Sequence, residues 1–161
     1  MAVRLRNMTS VYLVDDAGIL CLYRIGSRVA DRMFIGSAGG HFEPDELNDP
    51  QQCVLRELQE ELGLSAEDVT GLQLRYITHR LKNGEIRQNY YYFARMKQPK
   101  PLHSTEGELH WIAYDDMPAL EMPVSAKHMM LHYLCEGRYT GHIYAGITRE
   151  EGTEFTVLRE F

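Results

Sequence analysis

The chain is expected to fold as a mixed α/β (α+β) domain, and three stretches carry that expectation. Asn83-Gly84 stands between two strand-like runs and is a strong hairpin signal, so part of the sheet must be antiparallel. A glycine pair, Gly39-Gly40, leads into an unbroken run from Gln51 to Leu62 with apolar residues at helical spacing. An N-terminal strand, turn and return strand come before both.

In chain order, Val3 to Val14 is rich in strand formers and ends in VYLV. Asp15-Asp16-Ala17-Gly18 is a turn, and Ile19 to Ile25 is the return strand. Gly26 to Arg32 reads as a loop leading to Met33, Phe34 and Ile35. Arg28 and Arg32 on that loop can meet a phosphate or simply face solvent. Asp49-Pro50 is a helix start, since Asp caps free N–H groups and Pro fits the first helical position. Val54, Leu55, Leu58 and Leu62 should face the core, and Gly63 stands where a left-handed cap is expected. Leu72 to Arg80 and Ile86 to Met96 form the hairpin around Asn83-Gly84. Alternation along Tyr90-Tyr91-Tyr92-Phe93 sends successive rings to opposite faces, where one set either stacks a base or packs in the core. Lys97 to Pro101 is a loop. Ser104 to Pro118 contains Trp111, expected in the core.

Ser125 to Glu136 is expected to be helical, with Met129, Met130, Leu131 and Leu134 supplying apolar surface and Gly137 ending it. His128 and His132 lie one turn apart, but without a third ligand nearby they read as an ordinary exposed or half-buried pair. The tail forms a last hairpin, RYTGHIYAG against EFTVLREF. It either covers part of a cleft or pairs with another subunit to give a homodimer.

The chemistry concentrates in GGHFEPDELNDPQQCVLRELQEELGL, Gly39 to Leu64. Glu57, Glu60 and Glu61 lie at i, i+3 and i+4, so their carboxylates share one helix face. Like charges there each cost an isolated helix about 0.2–0.5 kcal/mol, and the single Arg56 cannot neutralise all three. Acid-rich helix faces are often just solvated. Here the glycine pair upstream lets the backbone turn sharply and bring carbonyls close, giving an oxygen-only donor set suited to Mg²⁺, or Mn²⁺, rather than zinc.

This stretch resembles the signature of the Nudix hydrolases: Gly, five residues, Glu, seven residues, then Arg-Glu-apolar-x-Glu-Glu-x-Gly-apolar. Gly40, Glu46, Arg56, Glu57, Leu58, Glu60, Glu61, Gly63 and Leu64 fill those places. Nine residues, rather than seven, separate Glu46 from Arg56, and the two extra ones are placed at Leu47 and Asn48. The insertion keeps the helix register and leaves the role of Glu46 open. Ala38 stands where many members have Pro. The segment from Ser104 to Pro118 is similar to the Glu-Gly-Glu-x-x-Trp segment of many Nudix proteins.

The resemblance implies a Nudix fold over a single domain spanning 1–161, a mixed sheet sandwiched between α-helices. It implies metal held by Glu57, Glu60, Glu61 and the Gly40 carbonyl. Glu106, with Glu108 as second choice, would complete that site or act as general base. Glu57 is the base in the MutT-like branch, and Arg56 would orient the carboxylates. The implied reaction is hydrolysis of a diphosphate linkage: metal offsets the phosphate charge and acidifies a water, and a carboxylate takes its proton. The layout is most similar to the small MutT-type enzymes that remove oxidised nucleotides such as 8-oxo-dGTP. ADP-ribose, dinucleoside polyphosphates and other nucleoside diphosphate derivatives stay open as substrates. A Nudix-fold binding or regulatory module is the non-enzymatic alternative, and such modules commonly lose a signature carboxylate that this chain retains.

Composition narrows the partners. With 161 residues, 44% hydrophobic and 25% charged, the chain matches an ordinary globular protein. Its net charge of −6 argues against a nucleic-acid polymer or an anionic membrane and leaves a small nucleotide open. Cys21, Cys53 and Cys135 suggest no disulfide framework, and no signal peptide or membrane-length apolar run is seen, so a cytoplasmic protein is expected.

Overall fold

A computed structural model of the chain describes residues 2–28 and 30–161. Val29, within the expected loop, lies outside the described residues. The strands are β1 (Arg4–Val14), β2 (Gly18–Arg24), β3 (Met33–Ile35), β4 (Ala38–His41), β5 (Val69–Lys82), β6 (Glu85–Met96), β7 (Gly107–Ala113), β8 (Ile143–Thr148) and β9 (Thr153–Leu158). Two longer helices join them, α1 (Pro50–Leu62) and α2 (Val124–Cys135). The sheet is mixed, in the order β3-β2-β1-β6-β5-β8-β9, with β4 on β1 and β7 on β2. β1 runs parallel to β6 and β5 parallel to β8, while the other pairs are antiparallel. The β5–β6 hairpin turns at Asn83 and Gly84, both at positive φ (53° and 70°), as a tight two-residue turn requires.

Alternation sorts the core into two layers. Val11 and Leu13 of β1, with Tyr92 and Ala94 of β6, pack under Val54, Leu58 and Leu62 of α1. Tyr12, Tyr91 and Phe93, one residue out of phase, pack under Met129, Met130 and Tyr133 of α2. Phe93 and Tyr133 stack with centroids 3.9 Å apart. Asp49 caps α1 by accepting from the Gln52 N–H at 3.1 Å. Gly63 closes it at φ 67°, with its own N–H on the Gln59 carbonyl and the Leu64 N–H on that of Leu58.

β1 and β2 diverge, and the gap between them is where the site forms. The middle of β1 pairs with β4 and its end with β2, while the end of β2 pairs with β3. Ser37, between β3 and β4, bridges the fork: its hydroxyl donates to the Leu20 carbonyl at 2.6 Å and accepts from the Leu13 N–H at 2.9 Å.

Four readings of the sequence need correction. Gly39 and Gly40 lie in a strand and make no sharp turn. Trp111 is 45% exposed rather than core, because β7 pairs along one side with β2 alone and Trp111 points outward from it. Leu131 is 37% exposed on the outer side of α2, so the inner side belongs to its methionines and Tyr133. The terminal hairpin joins the sheet beside β5, extending it instead of closing over a cleft. His128 and His132 are half-buried and hydrogen-bonded, to Thr153 Oγ1 and the Tyr76 hydroxyl, both at 2.8 Å.

Arg75 of β5 holds the chain where it returns to the sheet. It is buried, and its guanidinium donates to the carbonyls of His142 (2.9 Å), Gly137 (2.6 Å) and Thr140 (2.8 Å). Arg75→Met leaves those acceptors without their donor and should lower unfolding free energy by about 2–4 kcal/mol. Denaturant unfolding with an unchanged m-value checks it.

Candidate active site

Arg56, in the second turn of α1, is surrounded by acids. Its Nε and one terminal nitrogen donate to the two oxygens of Glu46 at 2.6 and 3.0 Å. Its other terminal nitrogen reaches Glu57 Oε1 at 2.8 Å and Glu60 Oε2 at 3.0 Å, and a further bond goes to the His41 carbonyl at 3.0 Å. Glu46, left open by the sequence, is 1% exposed. It closes a short 3₁₀ turn (Pro44–Glu46) by accepting from the Glu43 N–H at 2.9 Å. Leu47 and Asn48 are taken up in the turn that follows, where the Asp49 N–H returns to the Glu46 carbonyl at 2.8 Å. The Arg56 guanidinium holds the Glu46 carboxyl down at about 2.

Glu57 is buried beneath β4. A Cβ on Gly40 would overlap the Glu57 carboxylate, and one on Gly39 would strike the Thr9 backbone carbonyl. The glycine pair is thus required for close approach, with neither residue at positive φ. Burial pushes the Glu57 carboxyl up against the pull of Arg56. Glu61 accepts from the Gly39 N–H at 3.0 Å. Its carboxyl is pushed up to about 8, by burial first, against the Gly39 hydrogen bond, and then by the acids Glu106 and Glu57 beside it. Glu106, just before β7, pairs on its other side with Arg24 at 3.6 Å.

Of the residues expected to act, Gly40, Arg56, Glu57, Glu60, Glu61 and Glu106 therefore gather at the fork in the sheet. Glu108 is exposed and pairs with His110 at 3.3 Å. Arg28 and Arg32 are exposed and do not line the adjoining cavity; Arg6, Arg24, Arg80 and Arg87 do. Those four were missed, although Arg24 precedes the expected loop and Arg6 falls on the inward phase of its strand.

The donors are all oxygen, as a hard divalent cation prefers. Among the described residues no three acidic, His or Cys side chains already converge on one point, because Arg56 spans Glu57 and Glu60. Glu61 nonetheless fits the metal well. Half-buried and flanked by two acids, its carboxyl is pushed up to about 8, and a cation placed there would favour its ionised form.

A NUDIX domain is matched over residues 4–133. The chain belongs to the NUDIX domain family. Among solved structures, the Nudix fold here is similar to a mutator MutT protein from Bacillus halodurans, at 21% identity and TM-score 0.66, covering 94% of this chain and 97% of that one. It is similar to a C. elegans Ap4A hydrolase at 16% identity and TM-score 0.63, covering 83% and 96%. It is also similar to the NUDIX domain of Shewanella oneidensis NrtR complexed with ADP ribose, at 16% identity and TM-score 0.60, covering 87% and 90%. At such identities these likenesses concern the fold. No curated protein matches significantly. No helix among the described residues is long and apolar enough to cross a membrane.

Glu46 and Glu61 act on stability with opposite signs in this Nudix domain. Glu46, held near 2, stabilises the fold above its ordinary value of 4.5 and loses that contribution as pH falls toward about 2. Glu61 must lose its proton inside the fold, so its burden grows as pH rises from 4.5 to about 8. Thermal melts in chelator should show the melting temperature falling over that window, and Glu61→Gln should flatten the fall. At neutral pH, Glu46→Gln should cost about 2–3 kcal/mol, the loss of a charged hydrogen-bond pair, measured by denaturant titration.

Proposed function

We propose that this Nudix hydrolase cleaves a diphosphate linkage in a nucleoside diphosphate derivative, using Mg²⁺ or Mn²⁺ held by Glu57, Glu60, Glu61 and the Gly40 carbonyl. The observation that carries the reading is Glu61: a carboxyl fixed by the Gly39 N–H at 3.0 Å, with Glu57 and Glu106 as acidic neighbours, an arrangement that favours a cation among them. When bound, the metal supplies positive charge to offset that of the phosphates and to acidify water.

The chain's own groups do the rest. Arg56 holds Glu57 and Glu60 in fixed orientation and contacts no substrate. Buried Glu46 keeps Arg56 from swinging away. Glu106 is the general base, placed beside Glu61 and kept in reach of the cavity by Arg24. Glu57 is less suited to that task, since Arg56 and the Gly40 backbone enclose it. For a triphosphate the products are the monophosphate and pyrophosphate. Within the class, a nucleoside triphosphate, oxidised forms such as 8-oxo-dGTP included, is the first substrate to try, with ADP-ribose and diadenosine polyphosphates beside it. The whole chain, 1–161, is taken as one cytoplasmic domain.

Phosphate and pyrophosphate release across that panel, with and without Mg²⁺, tests the class. Glu60→Gln and Glu61→Gln should each reduce Mg²⁺-dependent kcat by about a hundredfold or more while the protein stays folded, as when preorganised charge stabilisation is lost. Near-normal turnover in either variant would sink the ligand assignment. No turnover on any nucleotide would sink the reaction.

A further inference from the structure

On the α2 side of the sheet, strand register assembles a block of positive charge that the proposed chemistry does not use. Arg6 of β1 lies opposite Arg87 of β6, and Arg87 lies opposite Arg80 of β5. Three guanidinium groups thus stand side by side on adjacent strands, in a row about 10 Å wide. The next row outward is Arg4, Glu85 and Lys82. Together the two rows hold five cations and a single carboxylate. Glu85 is engaged by Arg87 at 2.9 Å and by Arg6 at 3.8 Å, while Arg80 has no ion-pair partner among the described residues.

Like charges directly opposed across strands destabilise a sheet. This chain has a net charge of −6, so acids are plentiful, yet none other than Glu85 sits in these rows. The row of three arginines also lines a cavity of about 170 Å³, whose other lining residues include Gly39, Tyr12, Asn89 and Tyr91. A second, separate observation points to a ligand there. Tyr12 is among the residues that line the cavity, and its hydroxyl is buried with no hydrogen-bond partner among the described residues.

The cavity has two ends. At one, Gly39 donates to Glu61 and pairs with Ser10 of β1. At the other stands Arg6, four residues earlier on the same strand and so about 13 Å away. That span is of the order of one nucleoside. The middle is neutral, made by Met8, Asn89 and Tyr91.

We propose that the ligand carries a second phosphate group at the end remote from the scissile diphosphate, and that Arg6, Arg87 and Arg80 bind it. The substrate class is then a nucleotide derivative phosphorylated at both ends. This rests on the reading above that the Gly39–Glu61 end takes the diphosphate. Guanidinium groups suit the task, because each can meet a phosphate through two parallel hydrogen bonds.

Matched pairs differing only in the remote phosphate test it: ADP-ribose and its 2′-phosphate, dephospho-coenzyme A and coenzyme A, GTP and its 3′-diphosphate. Binding is measured by calorimetry and kcat/KM with Mg²⁺. The doubly phosphorylated member of a pair should bind at least about tenfold tighter, the value of one charge-assisted contact. Added salt should erode that preference. Arg80→Gln and Arg87→Gln, alone and combined, should bring the ratio toward one. Equal affinities within all three pairs, or a preference that survives both substitutions, overturns the proposal. A retained binding preference without hydrolysis of any member supports the arginine row and overturns the reaction proposed for the other end.

Discussion

One guanidinium organises the acidic end of the molecule. Arg56 bonds to three carboxylates and a backbone carbonyl that come from two segments, the loop His41–Glu46 and the helix Arg56–Glu60. Without it, Glu46 would be an unpaired charge at 1% exposure, which protein interiors do not tolerate. With it, Glu46 stays ionised to about pH 2, and the loop is fixed to the helix. The remaining carboxylates then have little freedom. Glu57 is shut under Gly40, and Glu60 lies one turn further along, on the same cation. Glu61 lies beyond the reach of Arg56, and it is there that the local field leaves a place for positive charge.

The fork between β1 and β2 turns this electrostatic cluster into a site. A continuous antiparallel pair would put hydrogen-bonded backbone where β3 and β4 now insert. Ser37 bridges the opening, and the two glycines after it let β4 lie directly on Thr9 on one side and Glu57 on the other. Gly39 consequently belongs to two environments at once. Its N–H holds Glu61, and its backbone lines the cavity under the start of α2. Arg24 and Glu106 form a second bridge between the same two regions.

Charge is distributed unevenly for a chain of net −6. Acids collect on α1 and the loop that precedes it, whereas arginines line the cavity on the opposite side of the sheet. The sheet between them is filled with Val, Leu and Tyr, so the two fields meet only at the fork. A substrate with a diphosphate at one end would thus meet its cation-assisted chemistry and its arginine contacts at different points along its length.

Local patterns are legible wherever the interaction spans a turn or less. The caps at Asp49 and Gly63, the Asn83-Gly84 hairpin and the grouping of Glu57, Glu60 and Glu61 all depend on residues within about four positions, where helix and turn geometry dictate the outcome. Long-range pairing decided the rest. Nothing near Glu46 in sequence announces that Arg56 will enclose it, since the two extra residues before the helix had to be absorbed in a turn first. Arg80 and Arg87 face each other across the Asn83-Gly84 hairpin, but Arg6 is separated from them by most of the first half of the chain and joins their row only through the register of β1 on β6. Trp111 has the composition of a core residue and is exposed because β7 is bordered by β2 alone. By itself the sequence determined the family, the helix and the acids it carries. Only the tertiary structure decided which cation binds which carboxylate and which arginines share a pocket, because strand register is set by whole-sheet pairing and spacing within a single strand leaves it open.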